Sequence, residues 1–144
     1  MAQEPFDAKP ILLIENERAY ADLLKAAFAH VKVRNPLAVV TSDREAMSYL
    51  TYLLKQPEPN CPALILLAIL PQLCNHSRMV RWIRQQPLLL DVPCVVFSAD
   101  DPLDTNRAPH ELVCDYYIRK PHDFPQLLAL ASRVRDRWLN TARV

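Results

Sequence analysis

Ala63-Leu64-Ile65-Leu66-Leu67-Ala68-Ile69, enclosed by Pro62 and Pro71, is the most apolar stretch of the chain. A short apolar run between breakers suits a parallel strand buried on both faces, which has no need to alternate polar with apolar side chains. Ile11 to Ile14, Leu37 to Val40 and Pro93 to Phe97 repeat the pattern, and Asp115 to Arg119 reads as a fifth strand. Helical spacing fills the intervals. Tyr20, Leu23, Leu24, Ala27, Phe28 and Val31 form one stripe, and Ser42 with Glu45 has the spacing of a capping box ahead of Ala46, Leu50 and Leu53. Met79, Val80, Trp82 and Ile83 mark a helix ending near Pro87, and Phe124, Leu127, Leu128, Ala131, Val134 and Trp138 stripe the last one. Strands alternating with helices imply right-handed crossovers and a doubly wound α/β sheet covered on both faces. The fourth helix is the weak unit: Pro102 and Pro109 bracket only Leu103 to Ala108, so it is expected to be short, distorted or mobile.

The 144 residues fit one domain, residues 10–144, behind a tail of residues 1–9, and half of them are apolar. Seventeen basic against sixteen acidic side chains, net charge +1, give no electrostatic footprint for nucleic acid or an anionic membrane. The apolar runs stop well short of the roughly 18 residues a membrane span needs, and Met1 to Pro10 lacks an export signal, so a cytoplasmic location is expected. Cys61, Cys74, Cys94 and Cys114 form no CxxC pair or His/Cys cluster, which argues for reduced, mostly buried thiols and against a zinc site or disulfide framework. With thirteen prolines and no glycine, Asn35, Asn60, Asn75 and Asn106 are the candidates for left-handed turn positions.

In an open parallel sheet, chemistry collects outside the carboxyl ends of the strands. The first strand is followed there by Glu15, Asn16 and Glu17, the third by Ala68, the fourth by Ser98 and the fifth by Lys120 and Pro121. These motifs, in this order and over roughly Pro10 to Leu139, resemble the response-regulator receiver (CheY-like) domain of two-component and phosphorelay signalling. Ile11-Leu12-Leu13-Ile14-Glu15-Asn16-Glu17 looks like the family's first strand and acidic pair, and Ala63 to Ala68 like its phosphoacceptor strand. Val95-Val96-Phe97-Ser98-Ala99 looks like its hydroxyl strand, and Tyr116-Tyr117-Ile118-Arg119-Lys120-Pro121 like its lysine-proline turn. The resemblance implies a flavodoxin-like, five-stranded sheet of order 2-1-3-4-5. It also implies a carboxylate nucleophile, an acidic pair holding Mg²⁺, a hydroxyl for the phosphoryl oxygens and a charge-neutralising lysine. Glu15, Ser98 and Lys120 remain of that set. Ala68 stands where the phosphoacceptor aspartate belongs, Asn16 replaces the second acid, and an alignment pinned on Pro71 puts Leu67 there instead; neither Ala68 nor Leu67 accepts phosphate.

The expectation is therefore a pseudo-receiver with no catalytic residue, metal or cofactor, in which Lys120 pairs with Glu15 or bonds the carbonyl at the end of the third strand. Ser98 and Tyr117 occupy the family's switch positions, with Tyr117 read as a fixed packing residue. The face of the fourth helix, fifth strand and fifth helix is where receivers dock or dimerise, and Leu130, Arg133, Arg137 and Trp138 are the candidate interface there. Arg133, Arg135, Arg137 and Arg143 point around a helix and are interleaved with Asp136, a solvated face and not a nucleic-acid site; the four histidines sit in separate units. The leading reading is phosphorylation-independent binding of a protein partner, a histidine kinase or another signalling protein, or of a second copy. The alternative is a sensor of an apolar or redox-active small molecule, lodged in the emptied acidic pocket or beside the fourth helix. An enzyme finds no support, since no glycine-rich phosphate loop, nucleophile elbow or triad is visible.

Overall fold

The strands are β1 (Ile11–Ile14), β2 (Leu37–Val40), β3 (Leu64–Leu67), β4 (Cys94–Ser98) and β5 (Tyr116–Arg119). They pair in parallel throughout, in the order β2-β1-β3-β4-β5. The computed structural model describes residues 9–68, 76–98 and 114–139, and at residues 76, 77 and 98 the backbone alone. The expected fourth helix with Pro102 and Pro109, and with it Cys74, Asn75, Asn106, His110 and Arg143, lies outside the described residues. Four α-helices are described: α1 (Arg18–His30), α2 (Asp43–Leu54), α3 (His76–Arg84), which a 3-10 turn at Pro87–Leu89 follows, and the last helix (Phe124–Val134), which runs on through a π-type turn at Arg135–Leu139.

β1 and β3 are buried at every residue, which accounts for their unbroken apolar sequences. Odd and even positions part to the two faces. Ile11, Leu13, Leu64, Leu66, Val95 and Phe97 meet α1 and the last helix, while Leu12, Ile14, Ile65, Leu67, Cys94 and Val96 meet α2 and α3. Each fully buried side chain of this size contributes about 1.5–3 kcal/mol. The chain leaves β1 toward β2 and returns to the other side of β1 for β3, so the strand order reverses between β1 and β3. The crevice of the sheet opens at that reversal, where Glu15 and Ala68 follow directly on the paired residues Ile14 and Leu67.

Several local expectations are corrected. Ser42 caps α2 by accepting from the Glu45 amide at 3.1 Å, but the Glu45 carboxylate reaches back to Thr41, taking its amide at 2.7 Å and its hydroxyl at 2.9 Å. The reciprocal half of the box is thus displaced by one residue. The left-handed position falls on Lys32, at φ 69°, and not on Asn35 or Asn60. Lys32 closes α1, its amide donating to the Ala29 carbonyl at 3.0 Å, while the Asn35 side chain donates to the Lys9 carbonyl at 2.8 Å. Of the described thiols only Cys94 is fully buried; Cys61 and Cys114 are half-buried. Burial pushes the Cys94 thiol up to about 12 and raises that of Cys114.

Candidate functional site

Glu15 leaves the end of β1 with its backbone still in the sheet, its amide donating to the Val40 carbonyl at 2.9 Å. Its side chain has no solvent exposure. A carboxylate in that setting needs a cation and further donors, because desolvation of an unpaired charge costs several kcal/mol. Both are present. Lys120 Nζ, from the turn after β5, lies 2.8 Å from Glu15 Oε1, and the Glu17 amide donates to Oε2 at 2.9 Å.

The lysine is enclosed as well, with 6% of its side chain exposed. Its ammonium sits 4.3 Å from the centroid of the Tyr20 ring, in the first turn of α1, a distance at which the ring quadrupole attracts a cation. The Tyr20 hydroxyl donates to the Pro121 carbonyl at 2.7 Å, closing a loop from β1 through α1 to the β5 turn and back. Burial, and secondarily the Glu15 charge, hold the Tyr20 phenol well above its ordinary value, so it stays a neutral donor. The expected Lys120–Glu15 pair is present, and the bond to the third-strand carbonyl is not its described alternative partner.

Ala68 is fully buried beside this corner, its amide donating to the Ile14 carbonyl at 2.9 Å. A methyl group supplies no oxygen to attack phosphorus. Divalent magnesium demands near-octahedral oxygen ligands and commonly takes one or two carboxylates from the protein. Here Ala68 offers none, and both oxygens of Glu15 already accept hydrogen bonds, so the described residues do not fit that ion. Asn16 and Glu17 face solvent. Among the described residues no three His, Cys, Asp or Glu side chains gather as a metal site.

The other predicted residues fall in separate places. Ser98 ends β4, but its side chain is outside the described set. Tyr117 is half-buried against the α2 and α3 side of the sheet, and Tyr116 faces α1 and the last helix. Leu130 does not lie off the core stripe as expected: it is 4% exposed and packs with Leu127, Ala131 and Val134. The spacing 127, 130, 134 lies on one helical face as well as 127, 131, 134 does, so Leu130 was on the core stripe all along. Arg133 and Arg137 are exposed, and Trp138 is half-buried. Tyr20 and Arg119 were missed: Tyr20 reads as one more apolar position of α1, and the signal for its role is a hydroxyl one turn beyond an acidic corner.

No family model matches the chain. The response regulator Rcp1 of Synechocystis sp. is 25% identical over 141 residues, 98% of this chain and 96% of the relative. A probable methanogenesis regulatory protein, FilR2, of Methanothrix harundinacea is 26% identical over 143 residues, 99% of this chain and 89% of the relative. The crystal structure of a phosphorylated cyanobacterial phytochrome response regulator, RcpA, superposes with a TM-score of 0.72 at 27% identity, covering 93% of this chain and 96% of that one. No helix among the described residues is long and apolar enough to cross a membrane. In sequence along almost its whole length, and in its five-stranded parallel sheet, the chain is similar to CheY-like response-regulator receivers and has a receiver-like function in two-component signalling.

Proposed function

We propose that this chain is a stand-alone pseudo-receiver that works by phosphorylation-independent protein–protein interaction. One observation carries the reading: at the reversal of the strand order stands a methyl group, Ala68, next to a buried Glu15–Lys120 pair already satisfied by its own neighbours. The lysine that would neutralise a phosphoryl group instead neutralises a residue of the protein. A ligand shifts an equilibrium only through differential contacts with its two states. With no phosphoryl acceptor there, Tyr117 serves as a packing position and not as a switch. The partner is a histidine kinase or another signalling protein, and the likeness to a phytochrome response regulator makes a phytochrome-linked kinase the first to try. The small-ligand alternative has weaker support: Lys120 and Tyr20 occupy the acidic corner, and the cavity of about 420 Å³ beside it, which Glu15 and Asn16 line, also carries the charged side chains of Arg18, Asp22 and Lys25, a poor match for an apolar molecule.

The test is a titration with beryllofluoride and Mg²⁺, followed by tryptophan fluorescence in a Trp82→Phe background, which leaves Trp138, 6.1 Å from the Tyr116 ring on β5, as the reporter. No saturable change is expected. A saturable response, lost when Lys120 is replaced by alanine, overturns the proposal.

A further inference from the structure

Between β5 and the last helix lies a groove of about 350 Å³, lined by Tyr116, Ile118, Arg119, Gln126, Leu130 and Arg133 among others. Its described lining contains no carboxylate. Arg119 and Arg133 are exposed, and Lys120, which also reaches the groove, is committed to Glu15.

Among the described residues Arg133 is held in place without an acid. Its guanidinium donates to the Tyr116 hydroxyl and stands 5.7 Å from the centre of that ring. Tyr116 in turn packs on Trp138 at 6.1 Å, and Arg137 lies over Trp138 at 5.3 Å. Arginine and aromatic side chains thus form a ladder along one surface. Among the described residues the arginines with carboxylate partners lie elsewhere: Arg84 with Asp115, and Arg135 with Asp136. A guanidinium fixed by π-contacts and a phenol keeps free donors in a planar fork, the geometry that binds a carboxylate in a bidentate way.

We infer that this groove docks an acidic segment of a protein partner, with carboxylates on Arg119 and Arg133 and an adjoining apolar side chain on the floor made by Ile118 and Leu130. The inference rests on the interaction-module reading and names the chemistry of its partner. Charge complementarity selects the occupant: the described groove is cationic with an apolar floor, in a chain whose net charge is only +1. A polynucleotide draws its affinity from many phosphate contacts and counterion release, which two or three arginines over an apolar floor supply poorly.

The probe is a fluorescein-labelled octapeptide alternating glutamate with leucine, titrated at low salt with and without beryllofluoride and Mg²⁺, and its site mapped by amide chemical shifts. The expected result is saturable binding that perturbs Tyr116, Arg119 and Arg133, is the same with and without beryllofluoride, and weakens with salt. Arg119→Ser weakens it by about two- to fivefold, the scale of one exposed charge pair, and the charge reversal Arg133→Glu by more. Both positions are exposed, and an unchanged amide spectrum elsewhere verifies folding. Equal binding of the glutamine-leucine analogue overturns the inference, as do shifts confined to another surface, no binding at all, or tighter binding of an oligonucleotide of matched charge. A concentration-dependent dimer dispersed by Arg133→Glu gives the groove to a second copy and overturns it too. Binding that demands beryllofluoride keeps the groove but refutes phosphorylation independence, so the two proposals fail separately.

Discussion

β5 is pinned at both ends by an ion pair, and the two pairs sit in different surroundings. At the carboxyl end Lys120 meets Glu15 at 2.8 Å with side chains 6% and 0% exposed; at the other end Arg84 meets Asp115 at 3.1 Å with side chains 20% and 41% exposed. Solvent screens the second pair, so its charge attraction contributes little. What it does contribute is hydrogen bonding. Arg84 Nη1 donates to the carbonyls of Leu89, Leu90 and Val92, and Asp115 Oδ2 accepts from the Cys94 amide at 2.7 Å. That arrangement clamps the end of α3 and the turn after it to the entry of β4 and β5. The first pair does something else: it joins opposite charges of the chain itself, out of solvent, where β1 and β5 end. One is a staple at the quiet end of the sheet, and the other, under the proposed function, is a seal over the crevice in which a receiver handles a phosphoryl group.

The largest break in that contrast comes from Glu15→Ala, which leaves Lys120 buried without its counter-charge. A loss of about 3–5 kcal/mol in unfolding free energy is expected by denaturant titration. The double replacement Glu15→Leu with Lys120→Met recovers most of it, because an apolar pair of similar volume carries no desolvation cost. A double variant as unstable as the single one shows that the pair stabilises through something other than mutual neutralisation. At the opposite end, Arg84→Ala removes three carbonyl contacts and costs about 2 kcal/mol, whereas Asp115→Asn, which keeps an acceptor for the Cys94 amide, costs less than about 1 kcal/mol. The reverse ranking makes the clamp electrostatic. Tyr20→Phe, measured in the same way, removes the bond to the Pro121 carbonyl while sparing the ring beneath Lys120, and costs about 1 kcal/mol.

The smallest effect belongs to a carboxylate with no cation. Glu45 is held below its ordinary value of 4.5 by the Thr41 amide and hydroxyl. A depressed acid stabilises the fold above its unfolded pKa and loses that contribution as pH falls through the lower folded value. Glu45→Gln is therefore expected to lose that small contribution at neutral pH, where the carboxylate is ionised, and to converge with the unmodified protein as pH falls well below 4.5. A large change at neutral pH points instead to a cap that holds more than the first turn of α2.

The strands were legible because each depends on a local property, an apolar run between breakers, and their order followed from the succession of units. Ala68, Glu15 and Lys120 were legible because strand ends in a parallel sheet converge, so spacing along the chain translated into proximity. Tyr20 was not, since its partner Pro121 lies 101 positions away and an aromatic residue on a helical stripe reads as core. Leu130 was misplaced because helical periodicity leaves neighbouring stripes nearly degenerate until the sheet beneath selects one. Lys32 shows a different limit: in a chain without glycine some other residue must take the left-handed backbone at the end of α1, and nothing in the local sequence marks a lysine for it. The Arg84–Asp115 clamp was invisible for the same reason as Tyr20, a side chain meeting a strand end 31 positions on.

The seal is tested most directly by intact mass spectrometry of the purified chain after incubation with acetyl phosphate and Mg²⁺. The mass is expected to stay that of the unmodified protein. Stoichiometric addition of one phosphoryl group, removed by hydroxylamine as an acyl phosphate is, contradicts the account.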